Sequence, residues 1–235
     1  MTATVALIDY GAGNLTSVMR GLRRAGIDPV VATSPASLAD AAGIVVPGVG
    51  HFSATAIISD AWREALLARV TAGVPLLGIC LGMQWLFEGS TEAPGIPGLA
   101  LAQGSCQSLN KAGSYFELTP GFVSVKIPHL GWNRVEQPRD GVQGINIGSQ
   151  FAELTPDVDS RDSRLLAGVE SGAFAYFAHS FAAPVGPETV ATTTHGATFA
   201  SVIERDNVFG TQFHPELSSE TGAAIFANFA RVVGR

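Results

Sequence analysis

One heptapeptide narrows the possible folds of this chain more than anything else in it: Gly78-Ile79-Cys80-Leu81-Gly82-Met83-Gln84. It follows the apolar run Val74 to Leu77 and opens a second apolar stretch at Met83, Leu86 and Phe87. An apolar run ending in Gly-x-Cys-x-Gly predicts a buried strand, a sharp turn and a helix, with the central residue forced into a strained conformation that only its flanking glycines leave room for. The thiol of Cys80 then juts from the turn. Helix N–H groups and the positive dipole end facing that sulfur favour thiolate over thiol, which turns a cysteine into a nucleophile. A cysteine that merely fills a gap beside a sheet is the plainer alternative, and the two glycines at elbow spacing argue against it.

The chain before the elbow alternates strands and helices. Val5 to Ile8 predicts a strand running into Asp9-Tyr10-Gly11-Ala12-Gly13-Asn14, after which Leu15, Val18, Met19 and Leu22 recur at helical spacing with Asn14 as cap. The glycines there suggest a dinucleotide fingerprint, but Thr16 stands where its third glycine belongs. Pro29 to Ala32 and Ile44 to Val46 read as strands, the latter ending in Pro47-Gly48-Val49-Gly50, and a helix around Trp62, Leu66 and Val70 stops at Gly73. This alternation predicts an α/β fold with a mostly parallel, doubly wound central sheet. Ligands bind such sheets beyond the carboxyl ends of the strands, so the loops at Asp9, Pro47 and Cys80 are expected to share one edge. A glycine loop beside the elbow can present an N–H to a developing oxyanion.

The later part is strand-rich. Ala93 to Asn110 has little period, Lys111 to Pro120 reads as a loop or hairpin, and Val123, Val125 and Ile127 alternate as a half-buried strand leading to Pro128-His129-Leu130-Gly131-Trp132-Asn133. Glu136 to Arg164 reads as a long polar loop. Strands at Phe174 to Ala178, Thr189 to Thr193, Ala200 to Ile203 and Val208 to Phe213 are expected to extend the sheet in antiparallel fashion. Ile225, Phe226, Phe229 and Val233 then mark an amphipathic helix packing back on it.

A thiolate nucleophile needs a base and a group to orient that base, and Gln212-Phe213-His214-Pro215-Glu216 at a strand end offers both. In extended backbone residues i and i+2 point the same way, so the His214 imidazole and the Glu216 carboxylate are expected to meet. His51 and His195 fall in no such pattern.

With 235 residues and no linker-like segment, one domain over residues 1–235 is expected. The 14 basic and 20 acidic residues leave a net charge of −6 with no basic stripe, which argues against nucleic acid as a partner. No apolar run reaches membrane-spanning length, and the first strand is broken by Asp9 and lacks a basic n-region, unlike a secretion signal. Two cysteines, Cys80 and Cys106, and five histidines without zinc-ligand spacing imply a reducing, cytoplasmic setting with no structural metal and no cofactor.

The elbow together with Gln-Phe-His-Pro-Glu resembles the class I, triad-type glutamine amidotransferases. Ile8 to Leu15, Pro128 to Asn133 and Phe177-Ala178-His179-Ser180-Phe181 are similar, within that family, to the glutaminase subunits of imidazole glycerol phosphate synthases. The resemblance implies Cys80 as nucleophile, His214 as general base and acid, and Glu216 as its orienter. It implies an oxyanion hole from the N–H groups of Val49 and Leu81, and a glutamine pocket of Gly50, Gln84, Glu92, Ser180 and Phe181. It further implies L-glutamine as substrate, and Asn14, His129 and His179 at an interface with a separate (β/α)8-barrel cyclase subunit in a heterodimer. The family pattern is departed from at Ala93, where glycine is frequent, and at Phe181, where tyrosine is. The rival branches are the anthranilate and GMP synthase glutaminases, and outside catalysis a scaffold subunit, which would be expected to lack part of the triad.

Overall fold

The computed structural model describes residues 3–109, 122–138 and 163–234, together with three short strands at 115–117, 145–147 and 150–152. The first half of the chain follows the expected alternation: β1 (Thr4–Ile8), α1 (Leu15–Arg24), β2 (Asp28–Ala32), β3 (Gly43–Val46), α2 (Asp60–Thr71), β4 (Leu76–Ile79) and α3 (Leu81–Trp85). Asn14 caps α1 as expected, its side chain accepting from the Ser17 N–H at 3.3 Å, and Arg23 and Arg24 occupy the last turn, where the helix dipole favours cations.

After α3 come β5 (Gly89–Ser90), β6 (Ser105–Ser108), the hairpin strands β7 (Tyr115–Glu117) and β8 (Phe122–Ser124), β9 (His129–Val135), and a second hairpin of β10 (Ile145–Ile147) and β11 (Gln150–Ala152). The expected loop or hairpin at 111–120 is thus partly a hairpin. Most of the expected polar loop at 136–164 lies outside the described residues. The chain continues through β12 (Ala173–His179), β13 (Phe181–Ala182), β14 (Thr189–His195), β15 (Ala197–Arg205), β16 (Val208–Thr211) and α4 (Ser219–Val233).

Seven strands form the central sheet in the order β14-β15-β16-β4-β3-β1-β2. β2, β1, β3, β4 and β16 are mutually parallel, and β15 and β14 add an antiparallel edge. Alternate residues of β1 explain the layering. Val5 and Leu7 pack with Val18 and Leu22 of α1 and Phe226 and Phe229 of α4 on one face, while Ala6 and Ile8 pack with Leu66, Val70 and Trp85 on the other.

Two expectations are corrected. The strand at 174–178 is not in the central sheet: it is part of β12, which pairs in antiparallel register with β9 (Tyr176 opposite Trp132, His179 opposite His129) in a separate two-stranded layer. β16 is not part of the antiparallel extension but lies parallel to β4, with Thr211 beside Ile79. Continuous apolar runs suit a strand buried on both faces in either direction, so the composition of β16 did not reveal its sense. The outcome is functional, because parallel neighbours end at the same edge, and the segments after β1, β3, β4 and β16 all emerge there.

Candidate active site

The elbow forms where β4 ends. Cys80 has φ 52° and ψ −106°, a conformation strongly disfavoured for a residue with a side chain, and its N–H donates to the Thr211 carbonyl at 2.7 Å. The flanking glycines have a steric reason. A Cβ on Gly82 would overlap the Val46 carbonyl oxygen, and one on Gly78 would lie 2.7 Å from the Gly82 carbonyl oxygen. α3 runs only from Leu81 to Trp85, shorter than the apolar pattern through Phe87 suggests, so what faces the sulfur is the first N–H groups rather than a long helix's dipole.

The strand parallel to β4 brings the second half of the site. His214 follows β16, its N–H donates to the Tyr176 carbonyl at 2.9 Å, and its own carbonyl accepts from the Ser218 hydroxyl at 2.7 Å. Its Nδ1 meets Glu216 Oε1 at 2.9 Å with both side chains almost fully buried. The contact was expected from extended backbone. It arises instead because Pro215–Leu217 forms a turn of 3-10 helix that folds the carboxylate back under the imidazole. Because Nδ1 faces a carboxylate it carries the proton, leaving Nε2, buried and without a hydrogen-bond partner, for other work. Burial alone would disfavour an imidazolium there, but the negative charge of Cys80 and then the Glu216 carboxylate outweigh it and raise the His214 pKa to about 10.

Gly50, Gln84, Glu92, Ser180 and Phe181 line one small pocket with Cys80 and Leu81. All five residues expected to hold glutamine are therefore gathered around the thiol. Glu92 Oε2 also accepts from the Phe52 N–H at 2.8 Å, tying the segment after Gly50 to the pocket wall. The pocket is small, about 30 Å³, room for about two water molecules, and it is partly open to solvent. Val49, expected in the oxyanion hole, is 43% exposed and does not line this pocket.

His129 and His179, expected at a partner interface, lie inside this chain. They are 3% and 6% exposed, because β9 and β12 turn these side chains inward, and the neighbours turned outward are Leu130, Trp132 and Phe174. Asn14 is exposed at the head of α1. Two residues near the thiol had drawn no functional expectation. Gln212 donates from Nε2 toward Cys80 Sγ at 3.7 Å, and it was legible only as part of a motif. Tyr10 has a buried hydroxyl without a partner that closes off any side chain at Gly48, and burial followed by the charge of Cys80 pushes its pKa up. Among the described residues no group of three or more His, Cys, Asp or Glu is arranged to hold a metal ion, and no helix is long and apolar enough to cross a membrane.

The comparisons agree with this geometry. A family model described as glutamine amidotransferase class-I matches residues 6–233. The imidazole glycerol phosphate synthase subunit HisH of Haloarcula marismortui is 43% identical over 97% of this chain and 94% of its own length. The subunit of the same name from Deinococcus radiodurans is 39% identical over 97% and 93%. A solved structure of a glutamine amidotransferase superposes with a TM-score of 0.66 over 98% of this chain and 99% of its own, at 16% identity, a likeness of fold alone. With a strained cysteine elbow, a buried His–Glu pair on the neighbouring parallel strand and a family match across nearly its whole length, the chain belongs to the class I glutamine amidotransferases.

Proposed function

We propose that this chain is the glutaminase subunit of an imidazole glycerol phosphate synthase, working as a single domain through a Cys80–His214–Glu216 triad. The observation that carries the chemistry is Cys80 on its strained turn at the end of β4, beside the parallel strand β16 that leads into a buried imidazole whose Nδ1 is held by Glu216. Near-full-length relatives named for that synthase support the branch over the anthranilate and GMP synthase types.

In the mechanism, the Cys80 thiolate attacks the side-chain amide carbon of glutamine. The oxyanion that forms is held by the Leu81 N–H at the start of α3 and by the Val49 N–H once that loop turns toward it. His214 gives its Nε2 proton to the amide nitrogen, the C–N bond breaks, and ammonia leaves a cysteinyl thioester. The now neutral His214 takes a proton from water, whose oxygen attacks the thioester carbonyl; glutamate departs and the thiolate returns. Glu216 orients the imidazole and stabilises its charged form without itself transferring a proton.

Ammonia released into water would be protonated and lost, so we read the site as delivering it to a docked (β/α)8-barrel cyclase in a cytoplasmic heterodimer. There it would convert a phosphoribosyl formimino intermediate to imidazole glycerol phosphate and an aminoimidazole carboxamide ribotide. The exposed Leu130, Trp132 and Phe174 are candidates for the docking face, and the small pocket fits a site idle until a partner biases it. The test is glutamine hydrolysis by this chain alone and with a cyclase subunit carrying its ligand. Strong stimulation is expected, with ammonium salt replacing this chain in the cyclase reaction. A full rate from the isolated chain would point to a free-standing hydrolase.

A further inference from the structure

From the wall of the glutamine pocket, which His179 helps to line, runs a row of polar side chains whose hydrogen-bond directions follow from their partners. The Phe181 carbonyl can only accept, so the His179 Nδ1 at 2.8 Å from it carries a proton. A neutral His179 then offers a lone pair at Nε2, and His129 Nδ1, 3.1 Å away, must donate to it. That leaves His129 Nε2 as acceptor for the Asn133 amide nitrogen at 3.2 Å. The far end is pinned independently: Asn133 Oδ1 takes the Arg134 N–H at 2.8 Å and its Nδ2 also gives to the Thr194 carbonyl at 3.1 Å, so this amide cannot be flipped. On its other side the same Phe181 carbonyl accepts from Gln84 Nε2 at 2.7 Å. Gln84 Nε2 also donates to Gln212 Oε1 at 3.2 Å, which turns the Gln212 Nε2 toward the Cys80 sulfur.

We infer that His129 and His179 are positioning residues, held as a pair of neutral Nδ1–H imidazoles that pin the Phe181 carbonyl and, through it, the Gln84–Gln212 amide pair beside Cys80. The role rests on the glutaminase reading above but concerns residues that do not react. His129 is clamped flat between His195, at 4.0 Å between ring centroids, and Phe177, at 4.7 Å, so neither imidazole can turn over without disturbing its neighbours. Their surroundings keep them uncharged. Burial lowers the His129 pKa to about 3, helped by His179 and His195. Burial lowers that of His179 to about 4, against the pull of the Phe181 carbonyl, with His195 and His214 also lowering it. Besides each other, the pair feels the charge of His195 and His214, and Cys80 and Glu92 line the glutamine pocket with His179. A charged imidazole at either position would have two N–H donors and one fewer acceptor, and the row would break at that link. The strand that carries His129 and Asn133 also presents Trp132 outward, so the row runs from the exposed face to the thiol.

The first test needs no activity. Nitrogen-15 spectra of the chain with labelled histidine, assigned by single substitutions, should show His129 and His179 at pH 7 as neutral Nδ1–H tautomers. His195, whose Nε2 donates to the Lys126 carbonyl at 2.8 Å, serves as an internal contrast with its proton on the other nitrogen. An Nε2–H tautomer or an imidazolium at either of the pair overturns the proposal, whatever the enzyme's rate.

The second test uses the assembled synthase. His179→Asn sets an amide nitrogen near the place of Nδ1 and can still donate to Phe181, whereas His179→Gln reaches instead to the place of Nε2 and cannot. Gln is nearer to histidine in volume, so a space-filling role predicts that it is the better replacement. The positioning role predicts the reverse: Asn within about twofold of wild type, and Gln with a glutamine KM raised about three- to tenfold at nearly unchanged kcat, the worth of one hydrogen bond. His129→Asn and His129→Gln should sort in the same order. Gln tolerated as well as Asn at both positions would contradict the inference.

Discussion

The elbow edge of the central sheet and the β9–β12 layer behind it are both built around buried polar groups, yet they place opposite demands on charge. At the elbow a negative sulfur, an imidazole and a carboxylate are packed so that the ionised forms sustain one another, and His214 is held protonated to about pH 10. Across the pocket His129 and His179 sit among aromatic rings and other imidazoles, and both are held neutral. The same side-chain type therefore serves as a cation in one region and as a fixed dipole in the other. What separates them is whether the neighbours are the Cys80 sulfur and a carboxylate or other imidazoles.

The largest expected effects break the charged side. Cys80→Ser should lower glutamine turnover at least about 10,000-fold, since a serine hydroxyl in the same place ionises far less readily and the remaining site supplies only binding and oxyanion contacts. His214→Asn should be comparably severe. Glu216→Gln, which keeps an acceptor for Nδ1, should be roughly tenfold to a hundredfold milder. Steady-state rates with folding checked by circular dichroism would decide it, and equal losses for His214 and Glu216 would undo the division of roles.

A steric change ranks next. Gly82→Ala forces a methyl group into the Val46 carbonyl, backbone against backbone, and should cost about 3 kcal/mol or more of stability by denaturant titration. Gly131 sits in the neutral layer with nothing near its missing Cβ and φ +132°, so Gly131→Ala pays only backbone strain, about 1–3 kcal/mol.

The pH dependence of stability sharpens the contrast further, because the two regions act in opposite windows. His214 has a folded pKa raised above its unfolded value of about 6.5, so its contribution is complete below pH 6.5 and is lost as pH rises through about 10. His129 and His179 have depressed folded values, so the unfolded chain takes up their protons first, and stability falls as pH drops from about 6.5 toward 4. Melting curves should show Cys80→Ala reducing the alkaline loss and His129→Asn reducing the acid loss, and neither affecting the other's window.

The smallest effect is expected at the outer face. Trp132→Ala removes an exposed ring that only edges Tyr176, and should move the melting temperature by no more than about 2 °C while weakening stimulation by a cyclase partner.

How far each region could be read from the sequence follows the same divide. The elbow is local: glycines at 78 and 82 around Cys80 are a steric requirement written within five residues, and the alternation of β1 through β4 follows from apolar runs and helical spacing. The pairing of His214 with Glu216 was legible as proximity in sequence, though through the wrong local geometry, because nothing in His-Pro-Glu distinguishes an extended end from a 3-10 turn opened by proline. The neutral layer is non-local. His129, His179 and His195 come together only through the β9–β12 pairing and the approach of β14 to β9, bridged at Glu136 and Thr192, and a period-2 pattern does not reveal which strand a histidine will face. For the same reason the motif around His129 did not reveal that the fold buries the imidazole and exposes Trp132.

The account's central claim is that the charged side of this contrast makes Cys80 a nucleophile toward glutamine, and an electrophilic glutamine analogue tests it most directly. Both cysteines are buried, but Cys106 has its thiol pKa pushed up by burial and then by Glu92, and its sulfur sits against the Gln84 carbonyl, far from thiolate character. Peptide mapping after labelling should place the adduct on Cys80 and leave Cys106 free, with labelling lost in His214→Asn. An adduct on Cys106, or on neither thiol while the protein remains folded, would contradict the account.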